Sequence, residues 1–144
     1  MNPSLTFKIL SPNTKNYSDA IALCEEVFNK IIKPTTESNT QIAAFLDGKV
    51  CAAVTLIREE NLYKLQNLAV RGEMQSKGIG SMLLKFCEEF VLEEGVVAIY
   101  SHAPDAIGRS AVNFFLKNEY FCRGEVFDGD GVANQVMVKL LVGE

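Results

Sequence analysis

Apolar side chains at Ile21, Cys24, Val27, Phe28 and Ile31 recur three and four residues apart. That is the period of a helix burying one stripe, and Ser18 opens the pattern. Upstream, residues 6–10 are short and apolar-rich, as an edge strand is. Downstream, Pro34, Thr35, Thr36, Ser38 and Asn39 predict a loop. Residues 41–46 and 49–58 read as two strands joined by Asp47-Gly48, a strong signal for a tight hairpin turn. A second turn at 59–61 leads into a strand over 62–70, completing an antiparallel meander.

After Val70 the pattern changes. Residues 71–77 are polar, and Gly78 starts a long amphipathic helix with Ile79, Met82, Leu83, Phe86, Cys87, Phe90 and Val91 on one stripe. Gly95 suits the left-handed residue just past a helix end. Residues 96–100 form a continuous apolar run, as expected of a strand covered on both faces. Strand, helix and strand in this order predict a right-handed parallel crossover. A shorter helix follows over 110–118. Strands over 120–126 and 135–141 flank the turn Asp128-Gly129-Asp130-Gly131. No repeat or linker interrupts the chain, so residues 1–144 read as one α/β domain with a mixed sheet.

Composition narrows the function. The 144 residues are 48% apolar and 22% charged, which suits one globular core. A net charge of -4 and the absence of any basic run argue against a nucleic-acid partner. Cys24, Cys51, Cys87 and Cys122 are far apart and the chain has one histidine, so a Cys/His metal site is not expected. The cysteines read as buried thiols in a reducing compartment. Residues 1–10 lack a secretory pattern, and no apolar stretch approaches the roughly 20 residues of a membrane span. The expected location is the cytoplasm.

The chemistry concentrates where the strand ending Leu68-Ala69-Val70 passes through a glycine-containing turn into a helix. The first amides of a helix have no intrahelical partners and its dipole makes that end positive, which together form an anion site. Gly78 and Gly80 lack Cβ atoms, so a phosphate can come close to the backbone. Two phosphate motifs are excluded. Gly78-Ile79-Gly80 is followed by Ser81, Met82 and Leu83, without the third glycine of a dinucleotide fingerprint. Lys77 precedes Gly78 rather than following a glycine, as a Walker loop requires.

Gln75-Ser76-Lys77-Gly78-Ile79-Gly80 resembles the Q/R-x-x-G-x-G/A signature of the GCN5-related N-acetyltransferases. Residues 111–120, AVNFFLKNEY, resemble the second block of that family, A-x-x-F-Y-x-K-x-G-F, in the expected order. Residues 124–132, with Met137 and Lys139 beyond and Glu26-Val27-Phe28 in the first helix, resemble the ElaA/YjcF-like branch. The Pro-His usual in that branch is Ala133-Asn134 here. The resemblance implies an acyl-CoA N-acyltransferase fold: a mixed, mostly antiparallel sheet, splayed at its central parallel strands and flanked by helices. It implies acetyl-CoA as cosubstrate and an amine as acceptor. By position, backbone amides of Gln75, Ser76, Lys77, Gly78, Ile79, Gly80 and Ser81 hold the diphosphate. Leu68, Ala69 and Val70 pair with the pantetheine arm like an added strand. Ala111, Phe114 and Phe115 line the thiol end, and the Val70 amide faces the oxyanion.

The chain departs from the family where proton transfer is concerned. The tyrosine that often protonates the departing thiolate is Phe115, and the strand before the loop offers Lys64, Gln66 and Asn67 instead of a carboxylate base. His102 is the first candidate for base or proton relay, because histidine titrates near neutrality. Glu125 on the strand after the second block is another. Tyr100 is expected on the opposite face, in the core, and Cys122 in buried packing. Asp128 and Asp130 could attract a cationic amine or simply form their turn. Two activities fit: an N-acetyltransferase for a small or peptide amine, and a non-catalytic acyl-CoA sensor on the same fold, which Phe115 favours. Homodimers are common in the family, and one is an expectation here. The acceptor itself has no motif.

Overall fold

The computed structural model describes residues 4–32, 39–105 and 108–141. The elements are β1 (Leu5–Leu10), α1 (Lys15–Phe28), β2 (Asn39–Leu46), β3 (Lys49–Glu59), β4 (Leu62–Val70), α2 (Ile79–Glu93), β5 (Ala98–Pro104), α3 (Ser110–Lys117), β6 (Phe121–Phe127) and β7 (Ala133–Leu140). One seven-stranded sheet runs in the order β1-β2-β3-β4-β5-β7-β6. Every neighbouring pair is antiparallel except β4 and β5. The predicted meander and crossover both form.

Local chemistry sets the boundaries. The α1 helix begins at Lys15 rather than Ser18, because the Thr14 side chain accepts the Tyr17 amide and caps the first turn. It stops at Phe28, where Asn29 turns left-handed with φ 51, so Ile31 lies beyond the helix and is 87% exposed. Asp47 and Gly48 both take positive φ, as the predicted tight hairpin needs. Gly95, with φ 79, ends the second helix while Val96 donates back to the Val91 carbonyl. Of the predicted loop, Asn39 instead begins β2, and residues 34–38 lie outside the described residues.

The core has two halves, one on each sheet face. Facing α2 and α3 are Ile42, Val54, Leu56, Leu65, Leu83, Leu84, Cys87, Val91 and Ile99. The buried stripe of α2 includes Leu84 and leaves Met82 exposed, a rotation from the predicted one. Facing α1 are Leu10, Ala20, Leu23, Cys24, Phe45 and Val50, with Ala43, Ala53 and Ala69 keeping the strands shallow beneath the helix. The strand β5 starts later than predicted and alternates: Ile99, Ser101 and Ala103 are buried, while Tyr100 and His102 are not. It is therefore not covered on both faces. The outermost strand β6 is exposed along its whole length, and this leaves Cys122 exposed, contrary to the expectation of four buried thiols. Cys24, Cys51 and Cys87 are buried.

Candidate functional site

The parallel strands β4 and β5 pair only at Tyr63 with Ile99 and Lys64 with Tyr100. Just beyond, the buried Ser101 hydroxyl donates to the Leu65 carbonyl at 2.8 Å, the last tie between them. From there they part. The register of β4 against β3 slips between Ala53 and Thr55, an irregularity at the level of Asn67, whose φ is 58. The Cys24 thiol meets the Asn67 carbonyl at 3.4 Å. Asparagine tolerates left-handed backbone, so the residue type was the available signal for this kink.

Beyond the kink the ladder alternates in a useful way. The Arg71 amide donates to the Cys51 carbonyl at 2.8 Å, which makes the opposed Ala52 and Val70 a non-hydrogen-bonded pair. The Val70 amide therefore points away from β3 and toward the parted edge. Its carbonyl points the same way and accepts from Gln75 Nε2 at 3.1 Å, pinning the following loop to the strand. The result is a cleft of about 860 Å³ that runs between the parted strands from one sheet face to the other.

At one end of the cleft is the start of α2. Its N-cap, Gly78, has φ 80, and no side chain caps the first turn. The amides of Ile79, Gly80 and Ser81 precede the first helical bond, Met82 N–H to the Gly78 carbonyl at 3.1 Å. A methyl on Gly80 would meet Phe114 Cε1 at 3.3 Å and Val70 Cγ2 at 3.6 Å, so glycine there keeps the passage open. Asn118 Nδ2 bonds Ser81 Oγ at 3.1 Å and holds the end of α3 against this turn. These features fit a diphosphate with an extended arm: uncapped amides, glycine in place of side chains, and an edge amide at Val70.

Of the predicted residues, Leu68, Val70, Gln75, Ser76, Gly78, Ile79, Gly80, Ser81, Ala111, Phe114 and Phe115 border the cleft. Ala69 does not. Its side chain is buried beneath α1, and its backbone lies opposite Ala53 in the β3 ladder. Lys77 is exposed outside the lining. His102 borders the cleft at the parted strands. Glu125 does not: its carboxylate accepts from Gln135 Nε2 at 3.0 Å on the open edge strand.

Tyr100 shares a face with His102, because residues two apart in a strand point the same way, and the rings lie 5.6 Å apart. The expectation of opposite faces is thereby corrected. The Tyr100 hydroxyl donates to Glu59. Desolvation, with the Glu59 bond and charge, pushes the phenol up to about 12, so it stays protonated. His102 moves the other way. Partial burial and the Lys64 ammonium lower its pKa, against an opposing pull from Glu59, and the imidazole is neutral at pH 7. Asp128 also borders the cleft, but its carboxylate accepts from the amides of Asp130 at 2.9 Å and Val132 at 3.0 Å and from Asn134 Nδ2 at 3.4 Å. These bonds hold its pKa low and commit it to its own turn. Sequence reasoning missed three parts of the site: the Asn67 kink, the Ser101 tie, and the wall formed by Val27 and Phe28 of α1.

The acetyltransferase (GNAT) family model matches residues 11–120. The chain belongs to this family. Solved structures with the same fold include the ribosomal-protein-S18-alanine N-acetyltransferase from Escherichia coli, at 15% identity and TM-score 0.81, covering 98% of this chain and 96% of that one. An aminoglycoside 6'-N-acetyltransferase from Enterococcus faecium aligns at 13% identity and TM-score 0.80, over 96% of this chain and 98% of that one. Another aminoglycoside 6'-N-acetyltransferase, complexed with coenzyme A, aligns at 14% identity and TM-score 0.76, with the same coverage of 96% and 98%. Among curated proteins, none matches the sequence. No described helix is long and apolar enough to cross a membrane.

Proposed function

We propose that the chain moves the acetyl group of acetyl-CoA to a primary amine of a small molecule or peptide, by direct attack in a ternary complex. The observation that carries this reading is an uncapped helix start, at Ile79, Gly80 and Ser81, opening onto a cleft that crosses the parted sheet. Those amides bind the diphosphate, and the free edge of Leu68 and Val70 binds the pantetheine arm as an added strand. This orients the thioester beside β4 and leaves the other mouth of the cleft, near His102 and Phe28, for the amine.

His102 takes the proton that the amine must lose. A lysine-type amine is neutral only about once in 10³ molecules at pH 7, so a neutral imidazole at the cleft lowers a real barrier. The Val70 N–H meets the oxyanion as the amine nitrogen bonds the carbonyl carbon. The C–S bond then breaks and the electron pair leaves with sulfur. A thiolate with a parent pKa of about 8.5 needs little protonation, which suits a site where Phe115 replaces a phenol.

The test is thermal and chemical. Saturating acetyl-CoA is expected to raise the melting temperature by mass action, and adding a productive amine to release free thiol. No stabilisation by acetyl-CoA overturns the reading. A second reading, an acyl-CoA sensor, is favoured by one observation: Phe115 is buried against Phe114 and Tyr120 and carries no proton. Cofactor binding without turnover of any amine supports it. A cytoplasmic location and a homodimer belong to the proposal as well, to be read by cell fractionation and light scattering.

A further inference from the structure

Charge is unevenly distributed along the cleft, and the acceptor's end is where it is unusual. Among the described residues, three lysines border the cleft: Lys30, Lys64 and Lys117. Lys117 ends α3 beside Asn118, which is bonded to Ser81, so it belongs to the diphosphate end. The other two lie on the opposite sheet face. Tyr63 and Leu65 point into the core under α2, and alternation turns Lys64 toward the α1 side, next to His102. Lys30 follows the left-handed cap of α1, with its ammonium 5.6 Å from the Phe28 ring centre.

Neither ammonium has an ion-pair partner among the described residues. The carboxylate that borders the cleft and the one beside Tyr100 are already engaged. Asp128, the one described acidic side chain bordering the cleft, is bonded by two amides and the Asn134 side chain. Glu59 lies outside the lining and accepts the Tyr100 hydroxyl. A polycationic acceptor would therefore meet two ammonium groups and, along the described lining of the cleft, no free carboxylate. An acceptor with an acidic group would find two partners in a chain whose overall charge is -4. Val27 and Phe28 of α1 line the same cleft and offer an apolar wall to a short apolar body.

We infer that the acceptor is a primary amine that also carries an anionic group, carboxylate or phosphate, held by Lys64 and Lys30 at the α1 mouth of the cleft. The inference rests on the proposed acetyltransferase reading of the same cleft. It is tested by measuring kcat/KM for amino acids against their amides, and for phosphoethanolamine against ethanolamine. The wild-type chain, Lys64→Gln, Lys64→Arg and Lys30→Gln are compared, with the acetyl-CoA melting shift checked for each. The anionic member of at least one pair is expected to be preferred by tenfold or more. Lys64→Gln is expected to cut that preference about tenfold, one charge-assisted contact in a solvated site, and Lys64→Arg to restore most of it. Whichever pair shows the preference identifies the anion. Amides and ethanolamine acetylated as well as their acids overturn the inference, as does a preference that Lys64→Gln leaves unchanged. A chain that binds acetyl-CoA but acetylates none of these amines also overturns it. A chain that acetyl-CoA does not stabilise fails earlier, and takes the acetyltransferase reading with it.

Discussion

A side chain at Gly80 separates a binding site from a mere connector. Its first carbon would lie 3.3 Å from Phe114 Cε1, 3.6 Å from Phe114 Cζ and 3.6 Å from Val70 Cγ2. The closest of these requires the ring to give by a few tenths of an ångström. Phe114 is only partly buried and borders the cleft, so it can tilt. Gly80→Ala gains about 0.5–1 kcal/mol of helix preference and loses about 1 kcal/mol to crowding, leaving stability nearly unchanged. The ligand's contribution is far larger. Acetyl-CoA at a hundredfold over its Kd adds about 2.7 kcal/mol, roughly 10 °C of melting temperature for a chain of this size. Gly80→Leu sends three more carbons toward the passage between Phe114 and Val70 that the proposed pantetheine arm needs. Scanning fluorimetry and calorimetric titration read both effects. Gly80→Ala should melt within a few degrees of wild type and bind about tenfold more weakly. Gly80→Leu should fold but lose the ligand shift. A folded Gly80→Leu chain with the full shift refutes the assignment of the cleft.

The remaining predictions concern protons, thiols and packing. His102→Gln should lower kcat/KM by about 10²–10⁴, the usual range for losing a general base. A base acts in its neutral form, so wild-type activity should rise with pH through an inflection below 6.5, because burial and Lys64 lower that pKa. Lys64→Gln should move the inflection up, and an acid limb above pH 7 in the wild type contradicts this assignment. A disulfide reagent should modify one thiol per native chain quickly, Cys122. Cys24, Cys51 and Cys87 are buried, and burial pushes the Cys24 thiol up to about 11. Two or more fast thiols would show that the core opens readily. Tyr120 Oη donates to Glu88 at 2.9 Å beside the ion pair of Glu88 with Lys139 at 3.1 Å. Tyr120→Phe should therefore cost about 1–2 kcal/mol in chemical denaturation, and no change would mean water replaces that bond freely.

The elements were legible because each was written in a local code. Period-two and period-3.6 patterns placed the strands and helices, and Asp47-Gly48 and Gly95 marked turns through backbone angles few other residues adopt. Errors came where caps or neighbours overrode the pattern. Thr14 rather than Ser18 started α1, and Ile31 matched the period but fell after Asn29 had ended the helix. Cys122 looked like packing because its chemistry is apolar, yet only topology reveals that β6 is an open edge. The glycine loop could be read because an uncapped helix start and small residues are local features. The other end of the cleft could not, since Lys64, His102, Lys30 and Phe28 come from three distant segments and line it only where β4 and β5 part. The direction of the Val70 amide, set by its non-hydrogen-bonded pairing with Ala52, depends on register that no single strand specifies.

The most direct measurement is a crystal structure of the chain with coenzyme A. The diphosphate oxygens should lie about 3 Å from the amide nitrogens of Ile79, Gly80 and Ser81, with the sulfur between Val70 and His102. Diphosphate bound away from that helix start, or a protein side chain closed over those three amides, contradicts the account.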